Sequence, residues 1–155
     1  MSFRISGLSA EPFRALFGLS DAELAECNVV RQVADADFGY PCRVTLADAK
    51  PGEKLLLLNY EHQSARTPYR ARGPIFVREG AAETAAFTDE IPDYLARRTL
   101  SLRAYYAQGM MVDASVVDGR EARPLIEKML GGENVAYLHA HFAKRGCFAA
   151  RIERA

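Results

Sequence analysis

Two histidines, His139 and His141, stand two residues apart near the C-terminal end of the sequence. On a β-strand such positions share a face, with Cα atoms about 6.6 Å apart. Two imidazoles so placed can reach one metal ion, but a metal site normally needs three or more protein ligands. The next charged residues are Lys144 and Arg145, which would repel a cation. We therefore predict no metal and no cofactor and interpret the pair as two hydrogen-bonded histidines on a strand face, with a metal site as the alternative that stays open.

A second group combines a strand end with a basic loop. Tyr60 and His62 share one face of a predicted strand, and a loop with several arginines follows. Guanidinium groups bind carboxylate or phosphate in a bidentate way, and a loop over a strand end is a common ligand site. The alternative is a solvated loop whose arginines pair with nearby glutamates. The predicted ligand-binding residues are Tyr60, His62, Tyr69, Arg70, Arg72, His139 and His141.

Two further side chains are weaker candidates. Cys42 precedes Arg43, which could activate the thiol as a nucleophile if a histidine were in reach. A small core side chain is the ordinary role of a free cysteine. Asp113 lies in a predicted strand beside Met111 and Val117. It is interpreted either as an acid or base, or as a charge that protects an edge strand from aggregation.

Motifs for nucleotide cofactors, phosphate-binding loops and several hydrolase classes are absent. The 155 residues carry 20 basic and 20 acidic side chains, which argues against nucleic-acid and membrane-surface roles. Three cysteines, without Cys-x-x-Cys spacing, predict no disulfide framework. No apolar run has the length of a signal peptide or a membrane span. We expect a cytoplasmic protein.

The helices and strands that must position these residues are predicted from hydrophobic periodicity and from capping and turn residues. Two short helices are predicted near the N-terminus, the second opened by the capping-box pair Ser20 and Glu23. A helix over 120–130 ends at Gly131. The predicted strands cover 29–33, 43–46, 53–62, 75–78, 99–106, 110–117, 135–142 and 147–154. The segments 81–87 and 89–98 are predicted to be helical.

The order of these elements predicts an α+β fold. Helices, strands, one helix and strands follow one another without regular β-α-β alternation, which favours a mainly antiparallel sheet. The length suits one domain, 1–155, with short N-terminal helices and one helix before a C-terminal hairpin. The strand over 53–62 has leucines on both faces, which predicts a central strand covered on both sides.

The sequence resembles a family of uncharacterised bacterial proteins, the domain-of-unknown-function family twelve-hundred-and-three. The resemblance extends over nearly the whole chain and lies mostly in its first half. It rests on these segments: Phe3-Arg4-Ile5 with Gly7-Leu8, Gly39-Tyr40-Pro41-Cys42-Arg43, Leu58-Asn59-Tyr60-Glu61-His62, Pro68-Tyr69-Arg70 and Gly73-Pro74-Ile75-Phe76-Val77. It implies a single domain in a bacterial cytosol and assigns no catalytic residue.

Two functional classes remain from the sequence. The first is a domain that binds a small anionic molecule, with or without catalysis, so whether it is an enzyme stays open. The second is a non-enzymatic interaction module acting as a homodimer. Convergence of His62, His139 and His141 in one pocket would favour the first class, and scattered histidines would favour the second.

Overall fold

The computed structural model describes residues 1–155 as two β-sheets with short helices. The strands are β1 Phe3–Ser6, β2 Val30–Val33, β3 Pro41–Cys42, β4 Ala47–Asp48, β5 Lys54–Gln63, β6 Ala71–Arg78, β7 Ala86–Thr88, β8 Thr99–Tyr106, β9 Met111–Asp118, β10 Val135–Phe142 and β11 Phe148–Arg154. The α-helices are α1 Asp21–Glu26, α2 Asp93–Ala96 and α3 Ala122–Leu130, and 3-10 helices cover Glu11–Leu16 and Gly119–Glu121. The α+β class and the mainly antiparallel arrangement are confirmed.

The larger sheet, sheet A, has the strand order β7-β1-β11-β10-β8-β9, and its neighbours run antiparallel. Strand β8 alternates as its sequence predicts, with Leu100 and Leu102 fully buried. These leucines join a core of 19 buried residues that includes Ile126 and Leu130 of α3. One face of sheet A therefore packs on α3, which leaves the other face for polar side chains.

The smaller sheet, sheet B, has the order β2-β5-β6-β3-β4. Only the β3–β6 pair is parallel. Strand β5 lies between β2 and β6 and carries buried leucines on both faces, as predicted: Leu56 and Leu58 in one core cluster and Leu55 in another. The end of β5 brings His62 and Gln63 to sheet A, so the two sheets meet at the predicted site residues.

The capping-box prediction is confirmed. Ser20 Oγ accepts a hydrogen bond from the Glu23 backbone N–H at 3.1 Å, and a Glu23 carboxylate oxygen accepts from the Ser20 N–H at 3.1 Å. These bonds satisfy two of the donors that a helix N-terminus leaves free. They explain why α1 begins at Asp21.

Two predicted elements are wrong. The segment 43–46 is a turn rather than a strand, because Leu46 has a φ of 48° and its N–H bonds back to the Cys42 carbonyl. The turn lets Cys42 pair with Ala47. The segment 81–87 is not helical, because its end forms β7, which pairs with β1. Strand β1 itself, with Phe3 and Ile5 fully buried, is an element that the periodicity did not predict.

Membrane crossing is not supported by any helix of this fold. Not one of them combines the length with the apolar character that a bilayer span would require.

Candidate functional site

The three histidines converge where sheet A meets the end of β5. The ring centroid of His62 lies 5.0 Å from that of His141 and 6.2 Å from that of His139. The His139 and His141 centroids are 6.3 Å apart. Phe148 closes the group, since its ring stacks on His62 at 5.5 Å with an interplanar angle of 11°. We call His62, His139, His141 and Phe148 the histidine cluster.

Strand alternation places two members of this cluster. His139 and His141 point away from α3, because the residues between and beside them, Ala140 and Phe142, belong to the large core. Antiparallel register sets the cross-strand neighbours of His139, which are Arg103 on β8 and Arg151 on β11. The central imidazole is therefore flanked by two guanidinium-bearing residues and by no carboxylate in its own register.

Burial leaves three imidazole nitrogens without a hydrogen-bond partner in the chain. They are Nδ1 of His62, Nδ1 of His139 and Nε2 of His141. Nδ1 of His141 lies 2.9 Å from the Gly146 carbonyl oxygen. Because a carbonyl only accepts, this Nδ1 carries the proton and Nε2 is a bare acceptor. His141 is thus fixed as one tautomer by the turn between β10 and β11.

The surroundings hold all three histidines in the neutral form. Burial is the main cause that lowers the pKa of His139 to about 3, and the neighbouring His141 and Arg151 add to it. Burial also lowers the pKa of His141 to about 4, partly opposed by the bond to Gly146. The pKa of His62 is lowered by burial and by Arg103. At neutral pH the cluster is therefore an uncharged polar contact between the two sheets.

The histidine cluster does not form a set of metal ligands. No three His, Cys, Asp or Glu side chains are arranged so that they could hold a metal ion. Beside the cluster, a buried hydrogen bond joins the two sheets: the Gln63 amide of β5 donates to the Tyr137 hydroxyl of β10 at 3.0 Å. Tyr137 also stacks on Tyr105 at 5.2 Å. Aromatic packing and one amide thus hold the end of β5 against sheet A.

A cleft of about 480 Å³ opens beside the histidine cluster, between β6, the α2–β8 junction and the turn that joins β10 to β11. Its lining contains no carboxylate. Phe38, Phe76 and Phe142 contribute apolar surface. Five cationic side chains line the same space: Arg43, Arg97, Arg98, Lys144 and Arg145. We call this space the basic cleft.

Arg43 is the buried cation of the basic cleft. Arg43 is only 2% exposed, yet no carboxylate lies within ion-pair distance of its guanidinium. Its guanidinium donates to the carbonyl oxygens of Phe148 and Pro41, at 2.7 Å each, and to Cys147 Sγ at 3.1 Å. A guanidinium has five N–H donors, so these three bonds leave two N–H groups without a partner in the chain.

The other cations of the cleft divide into paired and free groups. Arg98 forms a bidentate pair with Asp48, and Arg97 pairs with Asp93 while stacking over Phe38 at 3.6 Å. Lys144 and Arg145 are exposed on the turn after β10 and take part in no ion pair. The cleft therefore keeps an excess of positive charge after its internal pairs are counted.

The predicted loop residues lie elsewhere. Arg70 is exposed and bonds to Glu61, and Arg72 is exposed and bonds to Asn59. Tyr69 is also exposed, and the ring of Tyr60 packs on Phe13 at 5.9 Å in the core of sheet B. None of these four residues lines the basic cleft. The structure thus gathers the three predicted histidines, whereas the predicted loop residues make local contacts outside the basic cleft.

Cys42 has the core role that was one of its two interpretations. It is fully buried among the apolar residues of sheet B, and its Sγ accepts from the Arg78 backbone N–H at 3.2 Å. The thiol that reaches a cleft is Cys147 instead.

The residues of the basic cleft were not predicted as a site. The sequence signal was the pairing of adjacent cations, Arg97 with Arg98 and Lys144 with Arg145, next to predicted strand ends. Nothing in the sequence shows that the two pairs meet, because the contact depends on how the sheets pack. Arg43 stood beside Cys42 and was considered only as a neighbour of that thiol.

The comparisons with known proteins agree with the sequence resemblance. A family model described as a protein of unknown function, DUF1203, matches residues 39–154, which is more than half of the chain. No curated protein and no solved structure matches the chain. The matched range contains all residues of the histidine cluster and the basic cleft except Phe38.

Proposed function

We propose that this chain, which belongs to the DUF1203 family of proteins of unknown function, binds a small organic anion in the basic cleft. The observation that carries the proposal is Arg43, a buried guanidinium without a carboxylate partner. A buried charge is costly unless it is paired. An anionic ligand in the cleft would supply the missing counter-charge and accept hydrogen bonds from the N–H groups of Arg43 that have no partner in the chain.

The dimensions and lining of the cleft support a small ligand with an apolar part. Its volume of about 480 Å³ lies within the usual range for ligand pockets. The Arg43 and Arg98 guanidinium carbons lie 5.0 and 4.9 Å from the centre of the Phe142 ring. Charge and aromatic surface are therefore adjacent, a combination that suits a carboxylate or phosphate attached to a planar or apolar group.

Binding is better supported than catalysis. The lining contains the Cys147 thiol and the Thr99 hydroxyl, but no imidazole or carboxylate that would act as a general base toward them. The histidine cluster is close, but His139 and His141 are buried, His62 is half-buried, and none of the three lines the cleft. The cleft thus has the groups that recognise an anion, and its lining offers neither an imidazole nor a carboxylate for proton transfer.

The setting we propose is the cytoplasm of a bacterium. The reasons are the sequence resemblance and the three free cysteines, Cys27, Cys42 and Cys147. The overall charge of zero makes a nucleic acid or a membrane surface a poor partner. The second candidate function, a homodimeric interaction module, is favoured by the open strand β9 and is compatible with anion binding.

Ligand-dependent stabilisation tests the proposal. Benzoate and inorganic phosphate, added at constant ionic strength with chloride as the reference anion, should raise the melting temperature of the parent protein in a saturable way. The double variant Lys144→Ala/Arg145→Ala removes two exposed cations from the rim. It should bind the effective anion at least about tenfold more weakly, since about 1.4 kcal/mol in charge-assisted contacts is lost.

Arg70→Ala is the matched control, because Arg70 is an exposed arginine outside the cleft. It should bind both anions as the parent does. If the double variant and the parent respond alike to every anion, or if Arg70→Ala alone loses the saturable response, the basic cleft is not the binding site.

A further inference from the structure

Strand β9 is a long open edge of sheet A. It pairs with β8 on one side only, and six of its eight residues are exposed. Val116 is 66% exposed and Val112 is 37% exposed. The opposite edge of the sheet, β7, has only three residues. A long exposed edge is a ready template for another strand, although the register of β9 with β8 shifts once, between Met111 and Asp113.

The backbone groups that β9 offers can be identified from the register. The Thr99 carbonyl accepts from Ala143 N–H, so odd-numbered residues of β8 face β10 and even-numbered residues face β9. Since Leu102 is opposite Ser115 and Leu100 is opposite Val117, the residues Asp113, Ser115 and Val117 bond to β8. Ala114 and Val116 therefore direct their N–H and C=O groups out of the edge.

One observation agrees with this assignment. The Ala114 N–H is bonded at 2.9 Å to the carboxylate of its own neighbour Asp113. The carboxylate thus accepts a hydrogen bond from an N–H group that does not take part in the pairing of β9 with β8. In a pair of strands, the carbonyl of a partner strand would replace it, and the Asp113 side chain would be released.

The sequence of this edge is nearly symmetric, Val112-Asp113-Ala114-Ser115-Val116. Outward-facing residues must pair with outward-facing residues, and among such registers the one centred on Ala114 overlaps most of the strand. It places Val112 opposite Val116 on both sides of the axis, and Asp113 opposite a hydroxyl at Ser115. No like charges are opposed, and apolar cross-strand pairs stabilise a ladder.

We propose that β9 pairs antiparallel with β9 of a second copy of this chain, about a two-fold axis at Ala114. The pairing makes one continuous sheet across both chains, with about four to six new backbone hydrogen bonds. The interface is isologous, as in most homodimers. Val116 and Ala114 lie on the sheet face that carries Ser101 and Arg103, so dimerisation would extend the face that holds the histidine cluster.

Sedimentation and light scattering of the full chain test this pairing. The parent should have a mass near twice 17.1 kDa at tens of micromolar. Val116→Lys should raise the dimer dissociation constant by more than tenfold, because it places charges within the paired edge. The matched control is Val30→Lys, at a valine that is 54% exposed on the edge strand β2 of sheet B. It should remain dimeric.

A crosslink tests the register in a chain that keeps its fold. In a Cys27→Ser background, which removes the exposed native thiol, Ala114→Cys should form a disulfide-linked dimer on mild oxidation, and Val30→Cys should not. A parent that stays monomeric, or a Val116→Lys variant that stays dimeric, overturns the proposal. A monomeric parent that instead binds a synthetic copy of the 111–118 segment would show that the edge accepts a peptide and not a second folded chain.

Discussion

Nε of Arg43 donates a 2.7 Å hydrogen bond to the carbonyl oxygen of Phe148, across 105 positions of sequence. The same Phe148 stacks its ring on His62. One residue at the start of β11 thus touches the buried cation of the basic cleft with its backbone and the histidine cluster with its side chain. The cleft and the cluster are therefore mechanically connected, although neither set of side chains enters the other.

The rate at which Cys147 is alkylated should reflect the positive electrostatic potential of the basic cleft. Its thiol accepts a hydrogen bond from Arg43 and lies among cations of the cleft. The ratio of the reaction rate with iodoacetate, an anion, to the rate with neutral iodoacetamide should therefore be higher at Cys147 than at Cys27. Cys27 is the control because it is exposed and outside the cleft. Peptide mapping after brief labelling measures both rates. The preference should weaken with salt, and equal reagent preferences at the two thiols would show that the cleft has no positive field.

Acidification should destabilise the protein through the buried histidines. An unfolded histidine has a pKa near 6.5, whereas the folded values are about 3 for His139 and about 4 for His141. Between 6.5 and about 4 the unfolded state binds protons that the folded state does not, so stability falls as pH falls. The loss is about 1.4 kcal/mol per pH unit for each histidine that stays neutral.

Urea unfolding at a series of pH values measures this slope. The carboxylate of Glu79, whose folded pKa is lowered to about 2 by Arg31, loses its contribution only below its ordinary value of 4.5. The interval from 6.5 to about 5 therefore isolates the histidines. His139→Phe should reduce the slope there by the share of one histidine. An unchanged slope would mean that His139 is protonated in the folded protein.

His141 should influence anion binding from outside the cleft. Its bond to the Gly146 carbonyl holds the turn that carries Lys144 and Arg145. His141→Phe should loosen that turn and weaken benzoate or phosphate binding by about three- to tenfold. His62→Phe is the matched variant, because His62 has no bond to the turn and should leave the affinity unchanged. Equal effects of the two substitutions would assign the change to the cluster as a whole.

Arg43→Ala should destabilise the unliganded protein by about 2–5 kcal/mol. The substitution leaves the Phe148 and Pro41 carbonyls without their donors and empties a fully buried site. Arg70→Ala, at an exposed arginine, should stay within about 0.5 kcal/mol of the parent. Chemical denaturation without added anions gives both values. A loss below about 1 kcal/mol for Arg43→Ala would show that the buried guanidinium is dispensable to the fold.

The sequence predicted the individual strands and helices better than the contacts between them. Alternation and turn signals indicated β5, β8, β10 and β11 within a residue or two, because these strands have one-sided or doubly apolar patterns. The short strand β1 and the edge strand β7, of four and three residues, are too short to show a period. The segment 43–46 alternates like a strand, but a left-handed Leu46 reverses the chain there. Local pattern has no information about that reversal.

The candidate site was partly predictable for the same reason. The i, i+2 spacing of His139 and His141 was sufficient to place both on one face of β10. Their contact with His62 depends on how the two sheets pack, so the sequence could not predict whether the three histidines converge. The cations of the basic cleft come from three segments far apart in sequence, including the turn that holds Arg43, so the cleft could not be predicted. The loop after β5 was predicted to bind an anion only because it contains arginines. In the structure Arg70 and Arg72 are exposed and form hydrogen bonds with nearby residues of β5.

The most direct test of the central claim is a nuclear magnetic resonance titration that observes the guanidinium of Arg43. Because this group is buried and holds fixed hydrogen bonds, its nitrogen resonances should be resolved from those of exposed arginines. Addition of benzoate or phosphate, against chloride at equal ionic strength, should shift them in a saturable way, while the Arg70 resonances stay unchanged. If saturating anion leaves the Arg43 resonances where they are, or moves all arginine resonances equally, the basic cleft is not an anion-binding site.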